Sequence, residues 1–453
     1  MRDLLHETAD LAADFLESLP ARPVFPAVDL DALRARLGGP VPGGPTEPGE
    51  VVAELAAAGG EAAVGMAGGR YFGFVIGGAL PAALAADWLT SAWDQNAGLY
   101  VGGPAASVVE EVAGAWLAEL LELPRARSFA FVTGTQMAHA TALAAARNHV
   151  LEREGWDVER EGLTGAPPIR VLAGVKAHST LYRALRLIGL GTASVVPVAV
   201  DDQGRMRPDA LREALAARDG PAIVCAQAGE VNTGAFDPFA PIADAAEDAG
   251  AWLHVDGAFG LWAAASPRFA HLVEGAERAD SWSVDAHKWL NVPYDSGVVL
   301  CAHPEAHRRA MGVQAEYLVH ADEGGPRDQL DWTPEFSRRA RGFAVYAAIR
   351  SLGRSGIAAL IERCCDHAAR FARELPATGA EVLNEVVLNQ VLFRYETDER
   401  TAEILRRVQE SGKAWMSGTV WQERQAIRLS VSNWQTSDED VARTVAAFAA
   451  AAR

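Results

Sequence analysis

Apolar and polar positions follow two rhythms along this chain. Up to about Leu37 the apolar residues recur at helical spacing, which predicts one helix, and the Gly/Pro-rich run 38–49 cannot continue it. A helical stretch then leads to Arg70-Tyr71-Phe72-Gly73-Phe74, and helices are expected over 81–121. From Phe129 the period shortens. Apolar, β-rich runs fall at 129–132, 170–173, 195–200, 222–226, 252–255, 281–284 and 297–301, most of them separated by helix-like stretches such as 208–218 and 241–249. Alternating strands and helices predict an α/β fold, a mostly parallel seven-stranded sheet covered by helices on both faces. After Arg338 a long helical pattern leads into a smaller α+β unit, with strand-like runs at 385–395 and 426–431 and helices at 401–410 and 438–451. The expected organisation is an N-terminal helical segment (1–70), a large domain (71–345) and a small C-terminal α+β domain (346–453).

Composition narrows the partners. The chain has 453 residues, 49% of them hydrophobic, enough for a large buried core. A formal net charge of −18 argues against nucleic acid and against an anionic membrane surface, both of which attract basic patches. The four cysteines form no CxxC pair, and adjacent Cys364-Cys365 lies in a helical pattern, so packed free thiols are expected rather than disulfides or a metal site. The first residues carry acids and no apolar stretch of signal-peptide length, and no uncharged run is long enough to span a bilayer. A cytoplasmic protein is expected.

Chemistry enters at Ser281-Trp-Ser-Val-Asp285-Ala-His287-Lys288-Trp289, downstream of His254-Val255-Asp256-Gly257-Ala258. A lone His-Lys pair is weak evidence, since most lysines are solvated. Here the lysine follows a β-rich run and has apolar neighbours, which suits an amine that condenses with an aldehyde. Asp256, at the end of a buried-strand pattern and followed by small residues, suits a carboxylate that keeps a pyridine nitrogen protonated. Together they ask for pyridoxal 5'-phosphate, whose ring absorbs electrons released at a substrate α-carbon. Thr133-Gly134-Thr135-Gln136 follows the first core strand and opens a helix, an arrangement that cradles a phosphate but also serves as a plain helix cap. His178 follows the next strand-like run and could stack on a ring or move a proton, or simply begin a helix. Asn232, in Gly229-Glu230-Val-Asn232-Thr233, could bond a cofactor or shape a turn.

The order His178, Asp256, Lys288, each just beyond a predicted strand, resembles the fold-type I pyridoxal phosphate enzymes, and among them the group II amino-acid decarboxylases acting on aromatic amino acids, histidine, glutamate and cysteine sulfinate. The resemblance runs from about Arg70 to Trp434. It implies that Lys288 carries the cofactor, Asp256 pairs with the ring nitrogen, His178 and Ala258 pack on opposite ring faces, and Thr135, Gln136 and His287 lie near the phosphate. It further implies a tyrosine on a loop after the lysine that protonates the α-carbon, and Tyr317, in Glu316-Tyr317-Leu318, falls at the matching distance. The resemblance also implies a homodimer with shared active sites, to which the N-terminal helix contributes.

Two positions depart from the family. Asp285-Ala286 replaces the Asn-Pro of many eukaryotic members, and a carboxylate cannot donate to phosphate. Glu230 puts an acid in the loop that should face the cofactor, where it either turns away or reads the substrate. The expected reaction is decarboxylation of an L-amino acid to its primary amine. The stretches at Phe74 and Leu99-Tyr100 favour an aromatic or apolar side chain, and Gly73 could open space there. The rival readings are an aminotransferase, with Arg428 anchoring the substrate carboxylate, and an oxygen-using aldehyde synthase, which has phenylalanine where this chain has Tyr317.

Overall fold

Seven of the apolar runs become one sheet in the computed structural model, which describes residues 1–217, 219–313 and 325–453. Its strands are β1 (Ser128–Val132), β2 (Arg170–Gly174), β3 (Val195–Val198), β4 (Ala222–Gln227), β5 (Trp252–Asp256), β6 (Ser281–Asp285) and β7 (Gly297–Cys301). They lie in the order β1-β7-β6-β5-β4-β2-β3. Neighbours are parallel except β7, which runs antiparallel to both β1 and β6. The carboxyl ends of β1, β2, β4, β5 and β6 therefore share one edge, the side on which open α/β sheets bind ligands. β4, β6 and β7 are buried at every position, as expected of strands covered on both faces.

One helix governs the approach to that edge. Thr135–Arg153 follows β1 and is rich in alanine, with Ala138, Ala142, Ala145 and Ala146 all buried. Small side chains let it lie close on the sheet. Gly297, which pairs with both Val132 and Asp285, lets the chain cross the start of β7, because a Cβ there would stand 2.4 Å from Gly134 Cα. The loop leaving β1 can thus reach the end of β6, two strands away.

Where chain order suggests three segments, the structure groups the residues into two units: Ala79–Asp366 with Asn384–Gln390, and Met1–Gly78 with His367–Leu383 and Val391–Arg453. The second unit carries a four-stranded sheet, β10-β11-β9-β8, built from β8 (Glu381–Val382), β9 (Gln390–Arg394), β10 (Ser417–Trp421) and β11 (Arg424–Ser430). β10 was absent from the pattern reading because Ser417-Gly-Thr-Val-Trp has too little apolar character. Its turn also lacks the usual glycine, since Gln422 (φ 47°) and Glu423 (φ 65°) take the left-handed conformation themselves. The single N-terminal helix is corrected to two, Arg2–Ser18 and Leu30–Leu37. Pro20, Pro23 and Pro26 break the pattern between them, and Asp29 starts the second by accepting the amides of Asp31 and Ala32.

Gly342–Glu374 is long, and one window of it is apolar enough by composition to cross a membrane. Gly353, at φ 61°, breaks its helical geometry, and Ile357, Leu360, Ile361 and Cys364 are buried inside the protein. The apolar face is used in the core. All four cysteines are buried and free.

Asp237 fastens the end of β4, accepting the amides of Gln227 and Met206 at 2.7 Å each. Burial pushes its pKa up to about 7 despite those two donors. The folded value thus lies above the unfolded one of about 3.9. This contribution is full below the unfolded value and is lost as pH rises through about 7. From about pH 6 to about pH 8 it removes on the order of 1 kcal/mol of stability. Denaturant titrations should show this loss in the wild type and a flatter difference in Asp237→Asn. Equal pH slopes would sink the assignment.

Candidate active site

Five loops at the shared edge bring the candidate residues together. Asp256 ends β5 with its side chain 13% exposed, and Oδ1 accepts the Ala258 amide at 3.1 Å. Oδ2 stands 3.3 Å from His139 Nε2. Burial alone would raise the Asp256 pKa, but His139, then His178 and Lys288, hold it well below the usual carboxylate range. The effect of His178 places that imidazole within electrostatic reach of Asp256. His178 caps the helix Ser179–Leu187, its Nδ1 2.8 Å from Thr180 Oγ1.

Lys288 Nζ lies 3.0 Å from Asp285 Oδ2, with the Phe259 ring centroid 6.0 Å away. Asp285 Oδ1 accepts the Thr135 amide at 2.6 Å, so this carboxylate ties the start of the β1 helix to the lysine. Burial raises the Asp285 pKa, and Lys288 and His287 more than offset that, leaving it lowered. His287 Nδ1 accepts the Ser296 amide at 3.2 Å, which leaves Nε2 as the protonated nitrogen of the neutral ring. That ring stacks on Tyr294 at 4.2 Å between centroids. Burial lowers the His287 pKa, favouring the neutral form.

Thr135 Oγ1 is buried without a hydrogen-bond partner among the described residues, an orphan that an anion would satisfy. Gly134 begins this helix with no side-chain cap, and a Cβ there would stand 3.2 Å from His287 Cε1. The donor set fits pyridoxal phosphate: an amine for its aldehyde, a carboxylate for its ring nitrogen, and a free hydroxyl with an imidazole N–H for its phosphate.

Other expected residues take different places. Glu230, 2% exposed, turns into its own loop and accepts from the Asn232 amide, Asn232 Nδ2 and the Thr233 amide at 2.7–2.9 Å. The side chain of Asn232 is thereby engaged by Glu230. Burial raises the Glu230 pKa against these donors. Gln136 is partly buried in the first turn of the helix after β1. Phe74 belongs to the second unit, 54% exposed, with its ring 5.3 Å from that of Trp415. The space expected at Gly73 is filled by Trp415, which a Cβ would meet at 2.1 Å and which stacks on Tyr71 at 4.9 Å. Arg428 lies in β11 of the same unit, paired in register with Ser417. Tyr317 lies outside the described residues.

The pattern reading missed His139, Phe259 and Trp415. His139 stands four residues after Thr135 and so on the same helix face, a signal hidden because its partners are 115 or more residues away.

A strand-end aspartate and a lysine, set at one edge of this sheet around an anion cradle, define a fold-type I pyridoxal phosphate enzyme. A family model described as the pyridoxal-dependent decarboxylase conserved domain matches residues 70–396, and the chain belongs to that family. It is thus a pyridoxal phosphate-dependent carboxy-lyase acting on an amino acid. The chain is 28% identical to an aromatic-L-amino-acid decarboxylase of Bacillus atrophaeus, over 97% of this chain and 93% of that one. It is 30% identical to an L-2,4-diaminobutyrate decarboxylase of Rhizobium meliloti, over 82% and 75%. The solved structure of Oryza sativa TDC with PLP and tryptamine superposes with a TM-score of 0.92 at 27% identity, covering 100% of this chain and 97% of that one.

Proposed function

We propose that this enzyme decarboxylates an aromatic L-amino acid to its primary amine, as a cytoplasmic homodimer with shared active sites. The observation that carries the reading is the cluster of Lys288, Asp256 and His178 at one sheet edge. Relatives named for aromatic substrates support the substrate class. The exposed apolar residues Leu5 and Leu11 on the first helix and Val51 and Leu55 on the helix Pro48–Ala62, with Trp88 and Trp93, support a second copy as their cover.

In this reading Lys288 would hold the cofactor through its side-chain amine. Bound pyridoxal phosphate supplies the sink for the electrons of the breaking carbon–carboxylate bond. Asp256 stays anionic and holds the proton on the ring nitrogen. His178 and Ala258 would hold the ring between them. Thr135 and His287 would donate to the phosphate, and Gln136 and the loop that carries Asn232 would border the cofactor. Tyr317 donates a proton to the α-carbon after carbon dioxide leaves, a role that rests on its position after Lys288 in the sequence.

Incubating the cofactor-loaded enzyme with a pool of L-amino acids, without keto acid, tests the reading by mass spectrometry. An aromatic amine lighter than its parent by one carbon dioxide is the expected product. Diaminopropane from 2,4-diaminobutyrate would overturn the substrate class, and a keto acid would overturn the reaction. Tyr317→Phe should lower amine formation roughly 100-fold or more, with oxygen uptake, aldehyde and ammonia appearing instead. Normal amine production by that variant would assign the proton to another acid.

A further inference from the structure

Behind Asp256 runs a line of buried polar side chains that the reaction as described does not use. His139 Nδ1 lies 2.9 Å from His254 Nε2, His254 Nδ1 lies 2.9 Å from Ser281 Oγ, and Trp252 Nε1 donates to the same Oγ at 2.9 Å. His139, His254 and Ser281 are each 0% exposed, and Trp252 is 2% exposed. Burying two imidazoles beneath a sheet edge is unfavourable unless their nitrogens are satisfied. His139 is moreover set in a helix whose other sheet-facing residues are mostly alanine.

The chemistry of the end groups orients the line. An indole can only donate, so Ser281 Oγ accepts from Trp252. Of the two groups against this oxygen, only His254 Nδ1 can receive the serine hydrogen. Burial brings the His254 pKa down to about 3, so its ring is neutral and has one N–H left for Nε2. That N–H points at His139 Nδ1, which must accept. His139 then carries its hydrogen on Nε2, facing the Asp256 carboxylate at 3.3 Å. The opposite order would leave Nε2 without a hydrogen and aim a ring lone pair of His139 at a carboxylate.

We propose that His139 is the positioning residue of Asp256, and that Trp252, Ser281, His254 and His139 form a one-way hydrogen-bond chain whose last member sets its Nε2 3.3 Å from Asp256 Oδ2. The chain holds a donor against the carboxylate oxygen not taken by the Ala258 amide. It keeps Asp256 anionic and fixes its rotation, so that the carboxylate, rather than water, faces the cofactor's ring nitrogen. Without that donor, burial dominates, Asp256 takes up a proton more readily, and its hold on the ring nitrogen weakens.

Histidine-selective 15N NMR of the wild-type holoenzyme tests the chain without any variant that must fold. Both His139 and His254 are expected to carry their hydrogen on Nε2, with Nδ1 shifted as an acceptor. An Nδ1–H tautomer or an imidazolium at either residue would overturn the chain. Kinetics and cofactor spectra of two variants test the positioning role. His139→Leu should lower kcat roughly 10- to 100-fold, about the range for losing a polar group set against a buried charge, while KM changes far less. The visible band of the bound cofactor should shift with it. His139→Gln, whose amide can donate from near the Nε2 position, should recover most of both. Equal behaviour of the two variants, or an unshifted band in His139→Leu, would overturn the role. The NMR and the band position are read without substrate, so failure here is separable from a wrong substrate class.

Discussion

Lys288→Ala is expected to abolish turnover, lowering it by at least about 1,000-fold, while the protein still folds. Lys288 is the amine placed at the carboxyl edge of the sheet, 3.0 Å from Asp285 and at the site's centre. Removing it takes away both the covalent attachment and the base that exchanges with the substrate amine. Borohydride reduction followed by peptide mass spectrometry should find the cofactor on Lys288 in the wild type and nowhere in the variant. The variant's visible absorbance should change in parallel. Turnover near the wild-type rate, or the adduct on another lysine, would overturn the assignment. The neighbouring carboxylate offers an internal check. Without the ammonium, Asp285 loses the largest influence that holds its pKa down, so thermal stability of the variant should also fall modestly.

Asp256→Asn should retain the fold and much of the cofactor binding, yet lower kcat by roughly 100- to 1,000-fold. The substitution keeps the shape and the oxygen that accepts the Ala258 amide. It removes the negative charge that holds a proton on the ring nitrogen, so the ring withdraws electrons less well. Substrate KM should move little, because Asp256 acts on the ring and not on the substrate. Steady-state kinetics over a range of substrate and cofactor concentrations separate the two effects. A variant with unchanged kcat would show that the ring nitrogen is protonated from elsewhere.

Much of this molecule was legible as pattern. β-rich runs of five residues or so, most of them buried, advertise themselves because apolar positions dominate them. β7 was bounded without error, and the other six strands to within two residues. Asp256 and Lys288 were legible for a different reason: they sit directly beyond such strands, and their chemistry is rare enough to be read as a pair. The N-terminal helix was misread as one because helical spacing persists across prolines that spacing alone does not weigh. β10 was missed because an exposed hairpin in the small sheet needs little apolar surface.

Local sequence, then, was sufficient for the strands that the sheet is built from and for the cofactor, since each depends on a short motif with its own chemistry. Contacts between distant residues depended on folding. Asp285 holds Thr135 and Lys288 together only because Gly297 lets the loop after β1 cross β7. Glu230 proved to be bound within its own loop by a turn geometry that composition does not encode. His139 reaches Asp256 because an alanine-rich helix lies close on the sheet, and no spacing along the chain announces that approach.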